Sequence, residues 1–251
     1  MTTELILSEV TRMAGGYCVI GLERTSRGYR SVRPMPPRSY AWGHPWPHQR
    51  GDRLGFELRA RPCTQPHVED RKAMRAAQSL GRIGHPELVG CLRSAEVARS
   101  TGELFGCALR SNPSGSGAAW VNPKEAARSI CGCEFRFLRF FWRVDRWRVE
   151  VKLAGGETLK SLPIVDRDWN DFLDVAGAAL GNVNREQRLH RFLNGRVARE
   201  IDQDEARFIR LGLTRTNDQG VCWLMLDSLF PLPRQEWVAE LGESRGSNEK
   251  A

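Results

Sequence analysis

Apolar positions recur with a period of two through most of this chain, and this pattern predicts its elements. "ELILSEV" (Glu4–Val10) alternates and predicts a strand. The turn "AGG" (Ala14–Gly16) leads into a second strand, "YCVIGLE" (Tyr17–Glu23). "GYRSVRP" (Gly28–Pro34) predicts a third, ended by proline. The stretch "PMPPRSYAWGHPWPHQRG" carries five prolines and predicts a long irregular loop, a length usually tied to function. "DRLGFELRAR" (Asp52–Arg61) resumes alternation, with Leu54, Phe56 and Leu58 on one face. Arg71–Leu80 reads as a short helix and "SNPSGSG" (Ser111–Gly117) as a flexible joint.

The second half repeats the strand signal. Glu134–Val165 predicts strand, strand, a Gly155–Gly156 turn and strand. Two helices follow. Asp166 is the expected N-cap of the first, with Trp169, Phe172, Leu173, Ala176 and Leu180 on one face and Gly181 as terminator. Asn184 with Gln187 resembles a capping box for the second, whose stripe is Leu189, Phe192, Leu193, Val197 and Ile201. "ARFIRLGLTR" and "GVCWLMLDSLFP" predict a hairpin around "NDQG". The expected fold is mainly β with some α: two OB-like β-barrels, the second with an inserted helix pair. The first barrel would occupy residues 1–116 and the second 117–241, with helices at 166–201. Residues 242–251 would form a frayed polar tail.

"EFRFLRFFWRVDRWRVEV" (Glu134–Val151) carries the sharpest question. One face of this strand holds Arg136, Leu138, Phe140, Trp142 and Val144 and is expected to point into a barrel. The other holds Phe135, Phe137, Arg139, Phe141 and Arg143, and such a face needs a cover. The helix pair would make these phenylalanines core. Nucleic acid would use them as stacking platforms, with arginine on its phosphates.

Charge narrows the function classes. Of 38 basic residues 33 are arginine, and the formal net charge is +8. Residues 1–133 hold 19 basic against 11 acidic side chains, and the rest of the chain is balanced. Arg12–Arg61 alone carries ten arginines against Glu23, Asp52 and Glu57, a concentration suited to a polyanion. The candidate contacts are Arg12, Tyr17, Arg27, Tyr29, Arg30, Arg33, Trp42, Trp46, Arg53 and His67 in the first barrel. Arg143, Arg146 and Arg148 join them from the second. The loop aromatics, Tyr40 among them, read equally as a grip on a strand or as a lid over the barrel's end.

Catalytic signatures are absent: there is no P-loop, no GxSxG and no dinucleotide fingerprint. His67, Glu69 and Asp70 cluster in "PHVEDRK", either as an anchoring turn, with Asp70 pairing Arg33, or as a metal or proton-transfer site. The seven cysteines include the pair Cys131 and Cys133 but no second ligand pair, so neither a zinc site nor a disulfide framework is expected. No cofactor is expected. No apolar run reaches the roughly 20 residues of a membrane span, and "MTTELILSEV" lacks a leader's basic start, so the expected location is the cytoplasm.

The run "ILSEVTRMAGGYCVIGLERTSRGYRSVRPM", with "GDRLGFEL" and "PHVEDRK", resembles the bacterial dual OB domain family. The matching positions are Arg12, Gly15, Gly16, Cys18, Gly21, Arg33, Pro34, Pro66, Glu69 and Asp70. "IVDRDW" and the closing hairpin look like that family's second barrel. "SVRP" departs from the family's aromatic–Ile-Arg-Pro segment. The resemblance implies non-enzymatic binding of RNA or single-stranded DNA, often in bacterial defence systems. The alternative is a structural or adaptor subunit that offers the same surface to a protein partner in a larger complex.

Overall fold

The computed structural model describes residues 2–62, 64–111, 117–181 and 184–246. The chain is mainly β, with two sheets. The first is built from β1 (Thr2–Met13), β2 (Gly16–Thr25), β3 (Gly28–Met35), β4 (Asp52–Ala60), β5 (Asp70–Ala73) and β6 (Gln78–Arg82). Its pairings run β1-β2-β3-β5-β4 and return to β1, with β3 and β5 parallel and β6 on the outer side of β4. Leu5, Leu7, Val10, Val19, Leu54 and Phe56 fill the interior.

A second sheet follows α1 (His85–Arg93). It contains β7 (Arg110–Ser111), β8 (Ala119–Val121), β9 (Ile130–Trp142), β10 (Trp147–Leu153), β11 (Thr158–Pro163), β12 (Phe208–Leu213) and β13 (Cys222–Phe230). Here β9 pairs β10, β10 pairs β11, and β12 lies between β9 and β13. A parallel bridge from Ile164 to Leu226 links the end of β11 to β13. The same pairing order therefore occurs twice. Between β11 and β12 lie α2 (Arg167–Leu180), α3 (Arg185–Phe192), a π-helical turn (Leu193–Val197) and α4 (Ala198–Gln203). Asp166 caps α2 by accepting from the backbone N–H groups of Asp168 and Trp169, and the expected stripe from Trp169 to Leu180 is buried. Asn184 takes a left-handed conformation and makes no capping bond, so the expected capping box does not form. The Asn194 side chain instead bonds both backbone groups of Phe140, fastening the helices to β9.

Three elements differ from the sequence expectation. Arg71–Leu80 is not helical; its ends join β5 and β6. The helix is α1, whose Pro86 lies in the first turn, where proline costs no hydrogen bond. The terminal helix α5 (Gln235–Gly246) continues into the segment expected to fray. Most of the Ser111–Gly117 joint lies outside the described residues. Upstream of it, Ala98, Leu104 and Phe105 are already in the second core.

Single-residue bulges decide which side chains face where. In β1, Leu7 pairs Gly21 and Glu9 pairs Ile20, which makes Ser8 an extra residue. Strict alternation would put Glu9 beside Leu5 and Leu7 in the core. The bulge sends Val10 there instead and leaves Glu9 against the second sheet, in a strand buried on both sides. Arg136 is the extra residue in β9. Leu138 and Phe140 point inward as expected, but Phe135 joins them and Phe137 remains 45% exposed.

The seam between the sheets is polar. Arg210 in β12 donates through Nε to Glu9 at 2.6 Å, and both side chains are completely buried. Its Nη2 reaches Ser31, whose hydroxyl donates to Glu96. Arg50 donates to both oxygens of Asp166 and to Asp168. Glu69 accepts from the Ser129 backbone N–H and hydroxyl and from the Ile130 N–H.

Removing one member of such a pair strands a buried charge, which typically costs about 3–5 kcal/mol. Arg210→Met and Glu9→Leu should each lose stability on that scale in urea denaturation. The double variant should recover much of the loss, whereas additive losses would show that the two groups are not coupled.

Candidate functional site

Three cavities abut along one side of the molecule. One of about 400 Å³ lies beside the β9–β10 turn and is lined by Arg143, Arg146, Arg148 and Trp223. It shares Val165, Thr214 and Met225 with a cavity of about 370 Å³ between the two sheets. That cavity shares Tyr40 with a third, lined by Arg38, Arg61 and Lys72. Together they form a groove. Nine cationic side chains line it among the described residues: Arg12, Arg33, Arg38, Arg61, Lys72, Arg143, Arg146, Arg148 and Arg215. Among the described residues the only lining carboxylate is Asp227.

Repeated topology explains this convergence. From the first sheet come the β1–β2 turn, the proline-rich loop and the β4–β5 loop. From the second come the β9–β10 turn and the β12–β13 loop. The two turns occupy equivalent places in the two pairing orders. The β9–β10 turn is strained, because Val144 and Asp145 both have positive φ, near 52° and 53°, a conformation that β-branched valine avoids. It leaves Val144 71% exposed between two arginines. Arg148 donates to the Ser161 carbonyl, and burial together with the charges of Arg146 and Arg143 lowers its pKa.

The floor of the central cavity is deeply buried. Arg33 donates at 3.0 Å to Asp70 and to His67 Nδ1, and through Nη2 to the Ser129 hydroxyl. Arginine can only donate, so Nδ1 accepts and the His67 proton sits on Nε2. Burial, then the charges of Arg33 and Arg215, push the His67 pKa down to about 2, so the ring is neutral. Arg215 shares Asp70 and lies over the Tyr40 ring, as does Arg61. Asp227 is the extra residue of a bulge in β13, opposite the step from Arg210 to Leu211. Its carboxylate occupies the space that a Cβ on Gly212 would fill. Burial and nearby Glu9 push its pKa up to about 8, against the pull of Arg33 and Arg210. Cys18 lines the same cavity, and burial raises its pKa too.

Of the residues expected to bind, Arg12, Arg33, His67, Arg143, Arg146 and Arg148 line the groove. Arg12 is held by Asp171 and Asp174 of α2. Trp42 and Trp46 pack on each other and against the first sheet's core. Tyr17 packs on the same core and bonds His44. Tyr29 and Arg53 line a different cavity, where Arg53 pairs with Glu4. Arg30 pairs with Glu23, and Arg27 lies on the exposed β2–β3 turn. Sequence reasoning missed Arg38, Arg61, Lys72, Arg215 and Asp227 as groove residues. For Arg215, the closing hairpin's place beside the β9–β10 turn was the available signal. His67, Glu69 and Asp70 behave as an anchoring turn, each held by or holding Arg33 or Ser129.

Asp227 makes a pH signature. The folded state keeps a proton that an unfolded aspartate, with a pKa of about 3.9, releases. Stability from this group is therefore complete below pH 4, declines as pH rises towards about 8, and is flat above that. Asp227→Asn mimics the protonated form and removes the decline. Its stability relative to the parent should climb by about 1.4 kcal/mol per pH unit between about pH 5 and 7. Urea titrations at both pH values check this, and a constant difference would show that Asp227 titrates normally.

No protein-family model matches the chain, and comparisons with curated proteins and with solved structures find no match either, so the reading of the groove rests on its own residues.

Proposed function

We propose that the chain is a non-enzymatic binder of single-stranded nucleic acid, RNA or DNA, built from two OB-like barrels that share one groove. The carrying observation is the groove lining: of its nine cations Arg12 is paired with Asp171 and Asp174, and Arg33 and Arg215 share Asp70, which leaves six others beside one lining carboxyl group, Asp227, held neutral by burial. Three further features support it. Five strands of each sheet follow one pairing order, in keeping with the five-stranded Greek-key OB barrel and with the resemblance to dual OB domain proteins. OB barrels bind oligonucleotides with the loops between strands 1 and 2 and strands 4 and 5. Here those are the loops that carry Met13, His67, Arg143, Arg146 and Arg215. Tyr40 is 60% exposed between two arginines, an arrangement suited to stacking beside a phosphate chain.

Phosphate neutralisation makes affinity fall with salt, with a slope of about −0.7 per contact for a single strand. A labelled oligonucleotide of about twelve residues, titrated at about 50 and 200 mM salt, should show that fall. Arg146→Glu and Arg61→Glu should each weaken binding and flatten the slope. Arg53→Glu, on a residue paired with Glu4 away from the groove, should change little. Absence of binding at low salt, or an equal effect of all three changes, would reject the groove as the site.

A further inference from the structure

The central cavity differs from its neighbours along the groove. Its floor is made by Arg33, His67 and Asp227, which are 4%, 3% and 3% exposed. Each carries a polar atom without a hydrogen-bond partner: Arg33 Nε, His67 Nε2 and Asp227 Oδ1. Buried polar atoms normally find partners, and three such atoms around one cavity point to a ligand that completes them. The walls are apolar, with Met13, Val165, Leu213 and Met225. A phosphate would satisfy the donors and waste these walls. A hydrocarbon would fill the walls and leave the floor unpaired. A planar heterocycle, with apolar faces and a polar edge, suits both. The volume, about 370 Å³, falls in the range of small-ligand sites.

Backbone placement agrees. The cavity adjoins the Arg143, Arg146 and Arg148 cavity through Val165, Thr214 and Met225, and the Arg38, Arg61 and Lys72 cavity through Tyr40. A strand held by both cation clusters would meet this cavity. From this we infer that the cavity receives one unstacked base of the bound strand, read at its edge by His67, Arg33 and Asp227. This rests on the strand-binding function proposed above. The edge pattern selects further. Arg33 Nε and His67 Nε2 are donors, and a protonated Asp227 offers one donor and one acceptor. On the Watson–Crick edge, thymine, uracil and cytosine each present two acceptors for the two donors and one N–H for the Asp227 acceptor, and so complement this set. Adenine presents one acceptor beside an amino group and guanine one acceptor beside two donors, so either purine leaves one of the two donors without an acceptor.

The test uses the intact chain at low salt with three strands of about twelve residues: oligothymidylate, oligodeoxyadenylate and a fully abasic strand. Oligothymidylate should bind at least about tenfold more tightly than the abasic strand, and more tightly than oligodeoxyadenylate. Asp227→Asn, which keeps a donor and an acceptor, should retain that preference. Asp227→Leu should abolish it while leaving abasic-strand binding intact, which also reports that the variant is folded. If all three strands bind the parent chain equally well, strand binding stands and the base pocket is overturned. If no strand binds at all, the proposed function fails and this inference fails with it. Equal binding of oligothymidylate and oligodeoxyadenylate, both above the abasic strand, overturns the edge-reading assignment.

Discussion

The arrangement of the molecule depends on charges buried between its two sheets. Arg210 with Glu9, Arg50 with Asp166, and Glu69 with Ser129 each join an element of the first sheet to one of the second. Withdrawing these groups from water is costly, so their contribution to net stability is modest. Their consequence is geometric. A docking rotated or shifted by one residue would leave a guanidinium or carboxylate buried without a partner, and that penalty is large. Apolar contacts such as Ile6 with Phe208 and Phe230 tolerate small slips, whereas bidentate arginine–carboxylate pairs do not. The seam thus fixes the relation between the sheets that brings the β1–β2 turn and the β9–β10 turn to one groove.

The same network creates the unpaired floor of the central cavity. Asp70 serves two arginines, Arg33 and Arg215, and Glu69 is consumed by the backbone and hydroxyl of Ser129. Arg33 therefore keeps one donor without an acceptor, and His67, held neutral, keeps another. Burial, and then the like charge of nearby Glu9, hold the Asp227 proton in place. Polar groups left over in this way normally lower stability. Here they are gathered in one cavity, opposite apolar walls, where a ligand can complete them.

Much of the fold was legible because it follows from period and punctuation. The Asp166 cap, the Trp169–Leu180 stripe, the closing hairpin and the first four strands are local properties of sequence. The bulges were not legible. Ser8, Arg136 and Asp227 each shift the pleat by one residue, and nothing in the alternation of neighbouring side chains marks them. The shift at Ser8 takes Glu9 out of the first core and into the seam. The shift at Arg136 leaves Phe137 exposed while Phe135 is buried. The shift at Asp227 aims a carboxyl group into the cavity. The helix at His85–Arg93 was hidden by glycines at both ends of a short apolar stretch, and tertiary contact with Leu22 and Phe230 stabilises it where propensity is weak.

The groove residues were partly legible, for a reason that applies to any arginine-rich chain. The excess of positive charge over Arg12–Arg61 is real along the sequence, but a field depends on where each guanidinium finds its partner. Glu4 and Glu23 neutralise Arg53 and Arg30 from within the same sheet, and Asp166 with Asp168 neutralises Arg50 from the other. What survives as a groove comes from loops: Arg38 and Arg61 from the first sheet and the Arg143–Arg148 turn from the second, beside Arg215, which shares Asp70 with Arg33. The second half of the chain is electrically neutral overall, yet it supplies four of the nine cations that line the groove, while its Asp171 and Asp174 neutralise another, Arg12. Net charge per segment therefore points to the wrong half for much of the site, while the location of the loops in the repeated pairing order points to the right one.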